Sequence, residues 1–146
     1  MKILFFSSVA SSLINFRGSL LRSLVLKGYD VIAIAPKTNN INIIQKELND
    51  IGVHFISVNL SRNSLNPLKE FISLIDVFRI INRVKPNCIL ATTIKPIGYT
   101  GIVLKMFKFF TKTNNIRFYP IITGLGFSFI ENQNILSIRF FTKLIS

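Results

Sequence analysis

Met1-Lys2-Ile3-Leu4-Phe5-Phe6-Ser7-Ser8 opens the chain, and Gly28-Tyr29-Asp30-Val31-Ile32-Ala33-Ile34-Ala35-Pro36 follows one helix-length later. Residues 3–6 form a short apolar run closed by serines, the pattern of a buried strand. Leu20, Leu21, Leu24 and Val25 then recur at helical spacing, with Arg22 and Lys27 on another side, which predicts a helix over residues 16–27. Gly28 is placed to end it, because a residue in the left-handed conformation satisfies the last carbonyls and glycine takes that conformation freely. Residues 30–35 are a second apolar run, stopped by Pro36. Strand, helix, strand in that order is the unit of a parallel sheet.

Working outward, the alternation continues. A helix is expected over 41–50, a turn at Ile51-Gly52 and a strand over 53–58. Pro67 suits the first turn of a helix reaching residue 84, with Leu68, Phe71, Ile72, Ile75, Phe78 and Ile81 as its expected core side. Lys85-Pro86-Asn87 turns into a strand over 88–92, and a helix is expected over 97–110. The last strand, 117–122, contains Pro120, which implies an edge or irregular position. A glycine loop at Gly124-Leu125-Gly126-Phe127 and the start of one more helix over 134–146 complete the reading. The fold class is therefore α/β, a doubly wound parallel sheet of Rossmann-like type, since right-handed crossovers leave that arrangement as the default. There is no internal repeat, low-complexity tract or interdomain linker.

With 146 residues the chain has room for one core, and 49% hydrophobic content argues against disorder. Eighteen Lys and Arg against six Asp and Glu give a net charge of +12. That excess favours anionic partners (nucleic acid, phosphate-bearing ligands or an acidic membrane surface) without choosing among them. Cys88 is alone, in an apolar run, and reads as a buried thiol in a reducing compartment. No stretch matches the roughly 18 uncharged apolar residues of a membrane span. The apolar segment 98–110 is interrupted by Lys105 and Lys108, and reads either as a membrane contact through its Phe and Lys residues or as a core helix.

In an open parallel sheet, ligands bind beyond the carboxyl ends of the strands. The connections leaving those ends carry the candidate binding residues. After the first strand come Asn15, Arg17 and Gly18, expected at the opening of a helix, where backbone N–H groups attract anions. The alternative is a simple helix cap at Asn15 and a solvated Arg17. The stretch lacks the GxGxxG pattern, so a nicotinamide cofactor is unsupported, and no cofactor is expected. Ser61 and Arg62 follow the third strand, in a loop that suits a phosphate or a sugar hydroxyl, or else caps the next helix through Asn66. Thr93 and Lys95 follow the fourth strand, and Thr123, Gly124 and Gly126 the fifth. His54 begins a strand at the opposite end and reads as structural, and Glu131 is the carboxylate expected nearest the ligand edge. Neither a Ser/His/Asp set nor a metal-ligand cluster is present in the pattern, and no catalytic residue is assigned.

Taken in order, Asn15-Phe16-Arg17-Gly18, Gly28-Tyr29-Asp30-Val31, Leu60-Ser61-Arg62-Asn63-Ser64-Leu65-Asn66-Pro67, Thr93-Ile94-Lys95-Pro96 and Ile122-Thr123-Gly124-Leu125-Gly126-Phe127 resemble the bacterial family 4 glycosyltransferases of the GT-B fold. The resemblance is to the amino-terminal, acceptor-side half. It is nearest to the galactosaminyl and glucosaminyl transferases that build capsule, lipopolysaccharide O-antigen or protein-linked glycans on undecaprenyl diphosphate. It implies two Rossmann-like domains, the first binding the lipid-linked glycan acceptor, the second binding a UDP-sugar and carrying an acidic motif with two glutamates. That motif is missing from these 146 residues, so the donor-binding domain is expected to be absent or to reside on a separate chain.

The resemblance further implies metal-free transfer of a hexosyl or N-acetylhexosaminyl group with retention of configuration. Arg17, Arg62 and Lys95 would then face anionic groups, Asn15, Ser61 and Thr93 would orient hydroxyls, and Gly124 and Gly126 would shape the cleft floor. The positive charge fits a peripheral, cytoplasmic position at the inner face of a bacterial membrane. Two other classes compete: a basic module binding nucleic acid or membrane without catalysis, and another Rossmann-like enzyme such as a sugar-nucleotide epimerase. No nucleic-acid motif supports the first, and its basic residues are not interleaved with aromatics, so no nucleic-acid partner is expected.

Overall fold

A computed structural model describes residues 1–60, 66–110 and 115–122. In chain order the elements are β1 (Lys2–Phe6), α1 (Ala10–Asn15), α2 (Gly18–Leu26), β2 (Asp30–Pro36), α3 (Ile41–Asp50), β3 (His54–Val58), α4 (Pro67–Val84), β4 (Cys88–Thr92), α5 (Ile94–Phe110) and β5 (Arg117–Ile121). The strands form one parallel sheet in the order β3-β2-β1-β4-β5. This is the expected doubly wound, Rossmann-like arrangement. Strand order reverses beside β1, which pairs with β2 on one side and β4 on the other.

Strand side chains alternate between faces, and each face builds its own core. Leu4, Phe6, Ile32, Ile34 and Ile89 lie on one face with Val77 and Ile81 of α4 and Val103 and Phe107 of α5. Phe5, Val31, Ala33 and Ala35 lie on the other with Leu13, Leu21, Ile44 and Leu48 of α1, α2 and α3. Pro120 sits in β5, an edge strand, where a missing N–H costs least. At the amino edge, Asn87 fastens β4 to β1, its N–H donating to Lys2 O at 2.9 Å and its Oδ1 accepting from Lys2 N at 2.7 Å.

Two helices end alike. Gly28 and Gly52 have φ of 79° and 81°. Gly28 N donates to Val25 O at 2.8 Å and Tyr29 N to Leu24 O at 3.2 Å, the paired bonds of a Schellman cap. Gly52 N to Asn49 O and Val53 N to Leu48 O, both 2.9 Å, repeat the pattern after α3. At the start of α4, Asn66 Oδ1 accepts from Leu68 N at 3.0 Å with Pro67 next to it, so the capping reading of that residue holds.

Three helix expectations are corrected. The helix predicted over 16–27 is two helices, broken at Phe16 and Arg17. Helix starts earlier because Ala10 and Leu13, one turn apart, both bury, while the serines that read as loop find local partners: Ser12 Oγ donates to Val9 O at 2.7 Å. Of the side of α4 expected to face the core, Ile81 is buried and Phe78 packs against the core, but Leu68, Phe71 and Ile72 stand exposed, and Ser73, Val77, Ile80 and Val84 are buried instead. α5 starts at Ile94 rather than 97 and is a core helix in its described part: Ile97, Tyr99, Val103 and Phe107 are buried, Phe107 stacks on Phe78 with ring centroids 4.7 Å apart, and Lys105 and Lys108 reach solvent. The glycine loop and the helix expected over 134–146 lie outside the described residues.

α4 and α5 are tied at their amino ends. Lys95 Nζ donates to Glu70 Oε1 at 2.8 Å, and Tyr99 hydroxyl donates to Glu70 Oε2. Cys88 is buried, and desolvation pushes its thiol above its ordinary range, partly offset by the nearby Arg117 charge.

These features set four outcomes, three read by urea unfolding and one by labelling. Gly28→Ala lowers the unfolding free energy by about 1 kcal/mol, and Gly52→Ala by about 2 kcal/mol, because a Cβ at Gly52 also meets Val25 Cγ1 at 3.0 Å while Gly28 faces open space. Glu70→Gln lowers it by about 1–2 kcal/mol, as a charge-assisted pair becomes a neutral one. Alkylation of Cys88 at mildly alkaline pH is at least about tenfold slower in the native chain than in urea, since burial keeps the thiol protonated and out of reach.

Candidate functional site

The carboxyl ends of β1 and β4 are where the sheet opens. The chain leaving β1 passes to the α1 face, and the chain leaving β4 passes to the α5 face. The two connections diverge at the switch in strand order, where open α/β sheets generally have their ligand crevice. Ser7 N still pairs with β2, donating to Ile34 O at 3.0 Å. Thr92 Oγ1, on the β4 side, donates to Phe6 O at 3.3 Å.

Hydroxyls line this opening. Ser7 is buried, its Oγ 2.8 Å from Ser12 Oγ and accepting from Val9 N at 3.2 Å. Thr93 Oγ1 donates to Ser8 Oγ at 2.8 Å, joining the two diverging loops, and also contacts Thr92 O. One hydroxyl proton serves one acceptor at a time, so whenever Thr93 turns to Thr92, Ser8 donates to Thr93 in its place. Thr93 has φ of 71°. A β-branched residue there costs about 1–3 kcal/mol, and such strain concentrates at binding and catalytic sites. The pair Ser8–Thr93 is thus a strained, adaptable hydroxyl bridge at the point where a ligand would enter.

The other candidates are distributed unevenly. Lys95 lies in the first turn of α5 beside this bridge, but its charge is matched by Glu70. Asn15 ends α1, Arg17 occupies the break before α2, and Gly18 is the first residue of α2. Arg17 and Gly18 thus open a helix as expected, but it is the second after β1; α1, which begins at Ala10, comes between. Ser61, Arg62, Thr123, Gly124, Gly126 and Glu131 lie outside the described residues. His54 begins β3, at the amino end of an edge strand, and is exposed.

Ser7, Ser8 and Glu70 were not singled out by the sequence. A serine pair directly after an apolar strand was the available signal for the first two. Glu70 is hidden in an amphipathic helix, and only the packing of α4 against α5 brings it to the rim. Among the described residues no three of His, Cys, Asp and Glu gather as metal ligands. Serine and threonine hydroxyls donate and accept but do not hold a proton as a base at neutral pH, so Ser7, Ser8 and Thr93 can orient a ligand's oxygens but not take its proton.

The fold is shared with known enzymes. The structure is similar to MurG of Acinetobacter baumannii, with a TM-score of 0.55 and 13% identity, covering 82% of this chain and 33% of that one. It is similar to a glycosyltransferase of Rickettsia africae ESF-5, with a TM-score of 0.57 and 18% identity, covering 93% and 34%. A deacetylase of teicoplanin biosynthesis also aligns, with a TM-score of 0.56 and 11% identity, covering 92% and 72%. The chain therefore spans about a third of the length of the first two of these proteins. At these identities the likeness is one of fold, and it runs across different chemistries. No curated protein sequence matches the chain. The family model "Glycosyl transferase 4-like" matches residues 2–137, which is nearly the whole sequence. The chain belongs to the glycosyl transferase 4-like family and forms a Rossmann-like unit of GT-B type.

Proposed function

We propose that this chain is the acceptor-binding half of a retaining glycosyltransferase. The reaction is transfer of a hexosyl or N-acetylhexosaminyl group from a UDP-sugar to a glycan carried on undecaprenyl diphosphate, in cell-surface polysaccharide or glycoprotein synthesis. A second Rossmann-like domain, beyond this stretch of sequence or on another chain, supplies the donor site. The work takes place at the cytoplasmic face of an anionic membrane.

The observation that carries the reading is the Ser8–Thr93 bridge at the switch crevice of a chain whose family is glycosyl transferase 4-like. A sugar acceptor offers hydroxyls, and a pair of hydroxyls whose shared proton can change partners suits either a donor or an acceptor on the ligand. Departure of the nucleotide diphosphate leaves an oxocarbenium-like sugar and a growing negative charge, which positive groups fixed at the rim stabilise. Arg17, Arg62 and Lys95 are proposed for anionic groups, and Asn15, Ser61 and Thr93 for hydroxyls. Gly124 and Gly126 are proposed for the cleft floor beside Thr123. Lys95 acts as one partner of the Glu70 pair, so a phosphate reaching it competes with a carboxylate.

The test combines the chain with its donor domain and measures transfer from UDP-sugars to a lipid-linked acceptor. Ser8→Ala and Thr93→Val each raise the acceptor KM by about tenfold, the equivalent of one hydrogen bond, and leave the KM for the UDP-sugar unchanged. Absence of transfer from every UDP-sugar by the assembled wild-type protein would refute the reading.

A further inference from the structure

Two ion pairs of the structure stand in contrast. Lys2 Nζ lies 3.9 Å from Asp30 Oδ2, with side chains 39% and 49% exposed. Lys95 Nζ lies 2.8 Å from Glu70 Oε1, with side chains 26% and 29% exposed. The closer and better covered pair holds its charges more firmly, because less water screens them. It also sits at the ligand end of the sheet, since Lys95 follows the strained Thr93 by two residues. The first buried residue of α4 is Ser73, so Glu70 stands at the margin of the core rather than in it.

Glu70 has support that does not depend on Lys95. Tyr99, buried one turn along α5, donates its hydroxyl to Oε2. Glu70 also lies in the first turn of α4, where the helix macrodipole favours a negative charge. With these two supports the carboxylate is not stranded when the ammonium leaves it. Asp76, the other acid of α4, instead accepts from Asn59 N at 2.8 Å and fastens backbone.

Lys95 in turn can move without disturbing the chain beneath it. Ile97 N donates to Thr93 O at 3.2 Å, closing the first turn of α5, and Pro96 fixes its own φ. The ammonium rides on a flexible four-carbon stem, so passing it from Glu70 to a ligand is a change of rotamers. Any anion that takes Lys95 does so in exchange for the carboxylate. The exchange divides the affinity of every anion by the same factor and so sets a threshold. A diphosphate, with two charges and several oxygens, clears a threshold at which a singly charged group fails.

We propose that Glu70, backed by Tyr99, gates the Lys95 end of the site: it is a resident carboxylate whose place on Lys95 a diphosphate takes. This rests on the functional reading, which brings an anionic group to Lys95, but it is tested on the chain without transfer. The full chain is titrated by calorimetry with geranyl diphosphate and with UDP.

Glu70→Gln removes the competitor while keeping its shape, and the diphosphate binds at least about fivefold more tightly even though the fold is less stable. Tyr99→Phe acts in the opposite sense: Glu70, with one donor fewer, grips Lys95 harder, and binding weakens by about threefold. In a Lys95→Gln background the gain from Glu70→Gln vanishes. Glu47→Gln, which removes an exposed carboxylate from α3, gives no such gain. An equal gain from Glu47→Gln would mean diffuse attraction to a +12 protein and would overturn the proposal. So would a gain that persists without Lys95, or weaker binding by a Glu70→Gln chain whose circular dichroism is intact, since a mere brace behaves that way. If Glu70→Gln does not fold, Tyr99→Phe decides, and unchanged or tighter binding by it overturns the gate. A gain with geranyl diphosphate and not UDP assigns the diphosphate to a lipid-linked acceptor, the reverse assigns it to a nucleotide donor, and a gain with neither ends the proposal. Transfer by the assembled wild-type protein without the Glu70→Gln gain would remove the gate and leave the functional reading. A Lys95-dependent gain without transfer from any UDP-sugar would do the reverse.

Discussion

Everything in this molecule is referred to the two-sided pairing of β1. Phe5, for example, is in register with Ala33 on one side and Leu90 on the other. A central strand of this sheet is bonded on both sides and covered by helices on both faces, so its residues are all but committed to apolar side chains. Its end is different. The partners lead their chains to opposite faces, and beyond Phe6 the backbone has to find new acceptors and donors. Serines and threonines supply them. The polarity that makes the crevice a binding place is thus a product of how the central strand terminates.

Much of this was legible in the residues. Apolar runs at 3–6, 30–35 and 88–92 are short and separated by helix-length segments, and such runs have few alternatives to buried parallel strands. Glycine after a helical stretch and proline at the start of one have single physical meanings, and Gly28, Gly52 and Pro67 all took them. Pro120 pointed to the sheet edge for the same kind of reason.

What escaped reading depends on facing. Hydrophobic spacing along residues 67–84 marks two possible apolar sides, one through Leu68, Ile72 and Ile75 and one through Val77, Ile80, Ile81 and Val84. Choosing between them requires knowing where the sheet ends relative to the helix, which no local pattern encodes. The site was obscured by the same limit. Glu70 meets Lys95 across 25 positions in sequence, and a carboxylate inside an amphipathic helix resembles any solvated one. Ser11 and Ser12 disguised the first turn of α1, because hydroxyls near a helix start compete with the ladder on paper and support it in place.

The Glu70 tie has a mechanical meaning. Its two oxygens hold successive turns of α5 to the opening turn of α4, so the starts of these helices cannot be displaced independently. An anion that draws Lys95 toward itself must take the lysine from Glu70, and thereby loosens the outermost turn of α4. By reciprocity, whatever steadies that turn from outside alters how readily Lys95 can be drawn away. Occupancy of the crevice and the posture of a helix beyond the sheet are, on this account, two readings of a single lever.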